Sequence, residues 1–283
     1  MKTIDLHVHS NYSDGTCTPE ELVDLAVKKG LAAFALTDHD ATNGVEKAQA
    51  YQKKNNAPVE VVPGIEISSE YGKKEIHILG LYIRQNHREL VETTRHFVSL
   101  RARRNQQMAE NFQKAGIPMT IEDLQEGNPD TVITRAHFAR HLIRLGVVKD
   151  AKEAFSKYLG EDSPFYVSRR RIPATDAIAL IIKAGGVPVL AHPIHYHMEE
   201  SRLRSMVAEF KEHGLAGIEV KYSNHTAQDE AFVARMAKEF DLLPSGGSDF
   251  HGSNKPDIHL GTGRGNLAIP YDYLIPIKKR ASA

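Results

Sequence analysis

Tryptophan is absent, and Cys17 is the only cysteine among 283 residues. A single thiol excludes an intrachain disulfide and any metal cage built on thiolates, and it fits a reducing compartment. Net charge is missing as well. The 36 Lys and Arg balance 36 Asp and Glu, so a polyanionic partner must be held by local clusters rather than by bulk attraction. No apolar run approaches the ~18 residues that a bilayer span needs. The opening Met1-Lys2-Thr3-Ile4-Asp5 carries an acid where a signal peptide is apolar, so a cytoplasmic protein without membrane contact is expected. The remaining composition, 41% hydrophobic and 25% charged, is that of an ordinary globular chain with a substantial core. Histidine is the unusual residue, with 15 copies.

Runs of branched apolar residues alternate with helical or turn segments, the order of an α/β fold with parallel strands. Seven strands are expected, near 4–9, 32–37, 59–67, 75–83, 186–190, 217–222 and 242–246, with a short turn at Tyr71-Gly72 joining the third to the fourth. Thr18-Pro19-Glu20-Glu21 supplies an N-cap, a proline at the first helical position and two acids at the positive end of a helix dipole, and Gly30 ends that helix. Between about 84 and 171 the strand signal disappears and helical periodicity takes over, near 86–115, 134–145 and 150–159. The expected organisation is an α/β domain made of 1–83 and 172–283, carrying a helical insertion at 84–171. The basic end, 277–283, is expected to fray.

Five of the strands finish in metal-ligand residue types: Asp5-Leu6-His7-Val8-His9, Thr37-Asp38-His39-Asp40, Gly64-Ile65-Glu66-Ile67, Ala191-His192-Pro193 and Ser248-Asp249-Phe250-His251. Side chains two apart on a strand point the same way, so His7 and His9 can share a metal and Asp249 and His251 can face one cavity. Parallel strands bring their C-terminal ends to one side of a barrel, where catalytic groups gather. His77 on the fourth strand is a sixth contributor. Taken singly, each histidine has a plainer reading as a packed, hydrogen-bonded ring. Asp14, in Tyr12-Ser13-Asp14-Gly15, equally has the profile of a turn residue. Asp38 and Asp40 can cap a helix or bond a ligand's second nitrogen, and the second role is expected of Asp38. Cys17 reads as a small packed residue. The coincidence of all these groups at strand ends argues for a site.

Taken in order, His7-Val8-His9, Thr37-Asp38-His39-Asp40, Gly64-Ile65-Glu66-Ile67-Ser68, Ala191-His192-Pro193 and Ser248-Asp249-Phe250-His251-Gly252 resemble the motifs of the PHP (polymerase and histidinol phosphatase) family. The resemblance runs nearly the whole chain. It implies a distorted, TIM-like barrel of seven β/α units with two or three divalent metals at the strand C-termini. By the same resemblance His7, His9, Glu66 and Asp249 hold a first metal, and Glu66 bridges to a second held by His77 and His192. Asp14, His39 and His251 hold a third, with Asp14 standing where some relatives have a histidine.

Six neutral imidazoles and three carboxylates around three divalent ions leave three positive charges, or two with a bridging hydroxide. Such a pocket suits a dianionic phosphomonoester better than a neutral amide. Mixed nitrogen and oxygen ligation suits Mn, Fe or Zn. The expected mechanism is in-line attack on phosphorus by a metal-bridging water held by Glu66, Asp249 and His192.

The insertion carries a second signal. At 100° per residue, Arg101, Arg104 and Asn105 fall within the same arc as Phe97, Leu100, Met108 and Phe112. Guanidinium groups on a core face are either paired with acids or turned toward an anionic ligand. Arg135 and His137, in Thr134-Arg135-Ala136-His137-Phe138, open the next long helix, where free backbone N–H groups also favour an anion. Arg169-Arg170-Arg171 reads as a solvated connector, and His225 as a substrate contact or a loop cap. The insertion resembles the PHP subgroup of 3',5'-nucleoside bisphosphate phosphatases, some of which also trim RNA from the 5' end. The expected activity is therefore release of the 3'-phosphate from a 3',5'-bisphosphonucleotide, a small phosphorylated partner, with the second phosphate on the arginines. A 5' to 3' exonuclease on short RNA or DNA, a non-catalytic nucleotide-binding regulatory module and an amide hydrolase are the alternatives. The full ligand set argues against the module.

Overall fold

A computed structural model describes residues 2–282 of the chain. In chain order it contains β1 (Thr3–Val8), α1 (Pro19–Lys28), β2 (Leu31–Leu36), α2 (Asn43–Lys54), β3 (Glu60–Tyr71), β4 (Lys74–Leu81), α3 (Arg88–Lys114) and α4 (Ile121–Gln125). Then follow α5 (Arg135–Arg144), α6 (Ala151–Ala154), β5 (Ile172–Pro173), α7 (Ala174–Lys183), β6 (Val187–Leu190), α8 (Glu200–Glu212), β7 (Gly217–Tyr222), α9 (Ala227–Glu239), β8 (Leu243–Gly247), β9 (Ile269–Pro270) and α10 (Leu274–Ala281). Thr18 caps α1 as its sequence predicts, in a reciprocal capping box with Glu21.

The strands form one curled sheet in the order β8-β7-β6-β4-β3-β2-β1-β9, with β5 attached to β3. Its two ends meet beyond β8, where Asp249 N–H donates to His7 O at 2.9 Å and His9 N–H to Phe250 O at 3.0 Å. The barrel is thus nearly closed, and its seam runs through the histidine-bearing segment after β1. Gly247 allows the closure, because a Cβ there would lie 2.2 Å from the Cβ of His7.

Contrary to the expectation of parallel strands throughout, the sheet is mixed. The seven strands are present, joined by the two-residue β5 and β9, but they are not all parallel: β4 runs antiparallel to both β3 and β6. The cause is the tight β3–β4 turn, in which Gly72 adopts φ +62°. Reversal sends the N-terminal half of β4 to the rim where the parallel strands end, so His77, paired with Ser68, arrives there from the opposite direction.

Three apolar clusters pack in and around the barrel, and a fourth belongs to the insertion, where Met108, Phe112, Phe138, Leu142 and Leu159 are buried together. The amphipathic periods near 86–115 and 134–145 appear as α3 and α5, and that near 150–159 as α6 with a π-helical turn, Phe155–Leu159. The short α4 had no such signal. The basic end is not frayed through residue 282: Leu274 and Ile277 of α10 are buried, and Lys278 pairs with Glu60 at 2.8 Å. Ala283 lies outside the described residues.

Candidate metal centre

Strand alternation turns Asp5 and His7 of β1 inward together, with His9 following just past the strand end; all three are fully buried. Glu66 lies at the centre of the cluster, in the middle of β3 rather than at its end. Its Oε1 lies 2.8 Å from His77 Nδ1, 3.2 Å from His192 Nε2 and 3.4 Å from His7 Nε2. Its Oε2 lies 3.0 Å from His39 Nδ1 and 3.3 Å from His9 Nε2. Asp249 Oδ1 faces His9 Nε2 at 3.4 Å and His7 Nε2 at 3.7 Å. Beside them Asp14 Oδ1 approaches His251 Nε2 at 3.2 Å, and its Oδ2 approaches His39 Nε2 at 3.8 Å. Asp249 and His192 hold positive φ, +57° and +28°, which strains the backbone where it presents them.

These groups fit divalent cations. His7 Nε2, His9 Nε2, His39 Nδ1, Asp14 Oδ1 and Glu66 Oε2 are all buried without a hydrogen-bond partner, a costly arrangement for polar atoms unless a cation gathers them. Donor atoms lie within 4.8 Å of one another in three groups: His7, His9 and Glu66; His39, Glu66 and His77; and His9, Asp14, His39 and His251. Nitrogen and carboxylate donors in this mixture are those of transition-metal hydrolases. Burial opposes the charge of Glu66, but His39, His77, His7 and His192 outweigh it and hold the carboxyl well below its usual range. Burial likewise opposes a proton on His77, yet Glu66 and Glu75 push that ring up to about 10.

Supporting contacts that motif reading missed hold the donors in place. Glu219 Oε1 lies 3.2 Å from His7 Nδ1, while its Oε2 accepts the His192 backbone N–H at 2.7 Å. Its signal was an acid on an apolar strand, Ile218-Glu219-Val220, where an inward side chain needs a polar partner. Asp5 accepts from Ser248 N and Oγ and from Gly261 N, which anchors the segment carrying Asp249; burial nonetheless pushes its carboxyl up to about 6. Tyr222 and Lys255 both donate to Asp249 Oδ2, at 2.8 and 2.6 Å. Asp38 does not bond a ligand nitrogen itself. It accepts from Ser10 and Ser13, and Ser13 Oγ lies 3.4 Å from His9 Nδ1. Cys17 is half-buried against the α1 cluster.

The donors open into a cavity of about 1160 Å³, walled on its far side by the insertion. Of the residues expected to touch substrate, Arg101, Thr134 and Arg135 line it. Arg101 pairs with Asp40 and Ser68. Thr134 Oγ1 donates to Asp14 Oδ2 at 2.8 Å, and Arg135 meets Glu75 at 3.2 Å beneath the rings of Phe155 and Tyr166.

Four expected contacts lie elsewhere. Asn105 is buried and donates to Ile133 O, tying α3 to the segment before α5. His137 turns back to accept from Thr134 N–H in the capping box of α5. His225 bonds Val220 O at 2.9 Å and caps its loop, leaving Asn224 on the cavity. Arg104, one turn along α3, is buried and does not line the cavity. The connector, expected to be solvated, is largely covered. Arg169 and Arg171 are not solvated: their side chains are buried near Asp40 and against Glu75, and Arg170 alone is exposed.

Among the described residues no helix is long and apolar enough to cross a membrane. Comparison with known proteins agrees with the geometry. Residues 5–160 match the PHP domain. A 3',5'-nucleoside bisphosphate phosphatase of Chromobacterium violaceum is 38% identical over 263 residues, 92% of this chain and 91% of that one. A 5'-3' exoribonuclease of Haemophilus influenzae is 36% identical over 250 residues, 88% of this chain and 90% of that one. A solved structure from Bifidobacterium adolescentis, described as a metal-dependent phosphoesterase, superposes with a TM-score of 0.86 at 29% identity, covering 99% of this chain and 96% of that one. With the histidine and carboxylate donors gathered at one rim of the barrel, the chain belongs to the PHP family and is a hydrolase of phosphoester bonds.

Proposed function

We propose that the protein removes the 3'-phosphate from 3',5'-bisphosphonucleotides, giving a 5'-nucleotide and inorganic phosphate. The observation that carries this reading is a single cavity with two cationic ends. At one end His7, His9, Glu66 and Asp249, with His77 and His192, would hold two divalent ions of the Mn, Fe or Zn class, and Asp14, His39 and His251 a third. Ions held there supply Lewis acidity toward the phosphoryl group and its attacking water. At the other end Arg101 pairs with Asp40, and Arg135 shares Glu75 with the buried Arg171. Three guanidinium charges against two carboxylates leave that wall positive by one, which suits a second phosphate.

The chain's own side chains orient the reactants. Glu219 directs His7 by its Nδ1 and fixes the His192 backbone, so both rings present Nε2 to the site. Tyr222 and Lys255 hold Asp249 Oδ2 and leave Oδ1 facing the rings of His7 and His9. Arg101 and Arg135 sit where a 5'-phosphate is bound while the 3'-phosphate lies among the histidines, and that separation selects a bisphosphate over a monophosphate. The cavity is somewhat larger than the ~300–1,000 Å³ typical of small-ligand sites, enough for a nucleotide with two phosphates.

Phosphate release from a 3',5'-bisphosphonucleotide, a 3'-monophosphate and a 5'-monophosphate tests the reading. The bisphosphate should have the highest kcat/KM by at least about tenfold, equivalent to one guanidinium–phosphate contact of roughly 1.4 kcal/mol. Equal values for the bisphosphate and the 5'-monophosphate contradict it. The Haemophilus influenzae relative supports a second reading for the same site, 5' to 3' trimming of short RNA. Product separates the two: a shortened oligonucleotide and a mononucleotide, instead of phosphate.

A further inference from the structure

Arg104 is a buried charge that the metal centre and its cavity leave unexplained. It lies one turn beyond Arg101 on α3, is 4% exposed, and its Nε is buried without a hydrogen-bond partner. Arg169, on the connector that leads into β5, is in the same condition. Its Nη1 and Nη2 are buried and unpartnered, and the acid nearest it, Asp40 at 3.7 Å, is already bonded to Arg101.

The two guanidiniums line a pocket of about 200 Å³ that shares no lining residue with the large cavity. Arg103, Arg104, Arg169 and Arg170 line it together with Gln107 and Ser168, and among the described residues no carboxylate does. Arg104 and Arg169 form its floor, and the exposed Arg103, Gln107, Ser168 and Arg170 form its rim. Burial, with Arg101, Arg169 and Arg135 close by, drives the Arg104 pKa down to about 8, so the protein alone holds this charge at a cost. An anion supplied from outside removes that cost. The planar guanidinium fork matches two oxygens of a tetrahedral oxyanion, and the amide and hydroxyl at the rim add neutral donors.

We propose that this pocket is a second anion site, which binds a phosphate group between Arg104 and Arg169 outside the metal-bearing cavity. The inference stands on the unpartnered guanidiniums and does not depend on which nucleotide the metal centre cleaves. Free phosphate and the backbone phosphate of a nucleic acid share the chemistry the pocket recognises.

Equilibrium dialysis of radiolabelled inorganic phosphate against the full-length, manganese-loaded protein tests it. Arg104→Met should remove one bound equivalent or weaken it at least about tenfold, and Arg104→Lys should fall between that variant and the native protein. Arg135→Met, altered in the large cavity, should leave this equivalent in place. Circular dichroism checks the fold, and if Arg104→Met does not fold, Arg169→Met carries the same comparison. A short 5'-hydroxyl DNA oligonucleotide, used as a second ligand, separates the sources. If Arg104→Met weakens its binding tenfold, the pocket takes backbone phosphate; if only inorganic phosphate is affected, it takes the free ion. Unchanged stoichiometry and affinity for both ligands in Arg104→Met and Arg169→Met overturns the proposal.

Discussion

Glu66 touches five imidazoles, and three of the residues that carry them, His7, His9 and His192, are backed in turn by Glu219 and Ser13, which do not line the cavity. Glu219 is the most exposed to test, because one carboxylate fixes both His7 and the backbone of His192. Glu219→Gln keeps the shape but loses the charge that orients His7. It should cost about 10–100-fold in manganese affinity or turnover, read by metal content at limiting manganese and by kcat. Wild-type values for both would remove Glu219 from the site's support. Protons compete with metal for the same nitrogens. Burial disfavours charge on His9 and His77, but neighbouring carboxylates push these rings up to about 9 and about 10 in the metal-free protein. Below those values the rings carry protons that a cation must displace. Manganese affinity should therefore rise between about pH 6 and about pH 8 and level off only above the raised pKa values. Affinity flat over that interval, by titration calorimetry, would show that these rings are not ligands. On the far wall, Arg135→Ala should raise KM for a bisphosphate at least about tenfold while changing KM for a generic aryl phosphate less than about twofold. Equal effects on the two substrates would dissociate Arg135 from the second phosphate.

At the scale of elements, what the sequence shows depends on how local the determining pattern is. Strand period two was enough to turn His7 and His9 toward one cavity, and Thr18 with Glu21 was enough to place the start of α1. The direction of β4 is not written in β4: it follows from a tight turn, and an antiparallel strand and a parallel one share the same apolar pattern. Three successive arginines look like solvated surface, yet an extended segment alternates, so Arg169 and Arg171 turn in while Arg170 turns out. Arg104 and Asn105 shared the apolar arc of α3, as periodicity indicated, but an arc says only that a side chain is covered. It does not say by what. Glu219 belongs to no motif and Asp5 stands in one only as the neighbour of His7 and His9, and their parts emerge only when β1, β6, β7 and β8 stand side by side. Gly247 tests the closure of the barrel. Gly247→Ala forces a Cβ against His7, so it should destabilise the fold by about 1–3 kcal/mol and weaken metal retention, measured by chemical denaturation and by metal content. Native stability with full metal content would mean that the seam is loose enough to take a methyl group.

For the whole molecule, the helical segment 84–171 and the barrel are stitched together by hydrogen bonds beside the donor cluster. Val132 N–H donates to Tyr12 O, Thr131 Oγ1 to Ser13 O, and Thr134 Oγ1 to Asp14. The segment after β1 therefore carries donors for cations on one side and anchors the insertion on the other. Phosphate chemistry in a chain of zero net charge fits this arrangement, in which the positive field is local and would come from ions held by these donors and from shared arginines rather than from an excess of basic residues. The claim beneath all of this is that the buried, partnerless nitrogens and carboxylate oxygens around Glu66 are metal ligands. Anomalous diffraction at the manganese edge, from crystals grown with manganese, addresses it directly. The account predicts separate peaks bonded to Glu66, one shared with His7, His9 and Asp249 and another with His77 and His192; an absence of anomalous density among these side chains would contradict it.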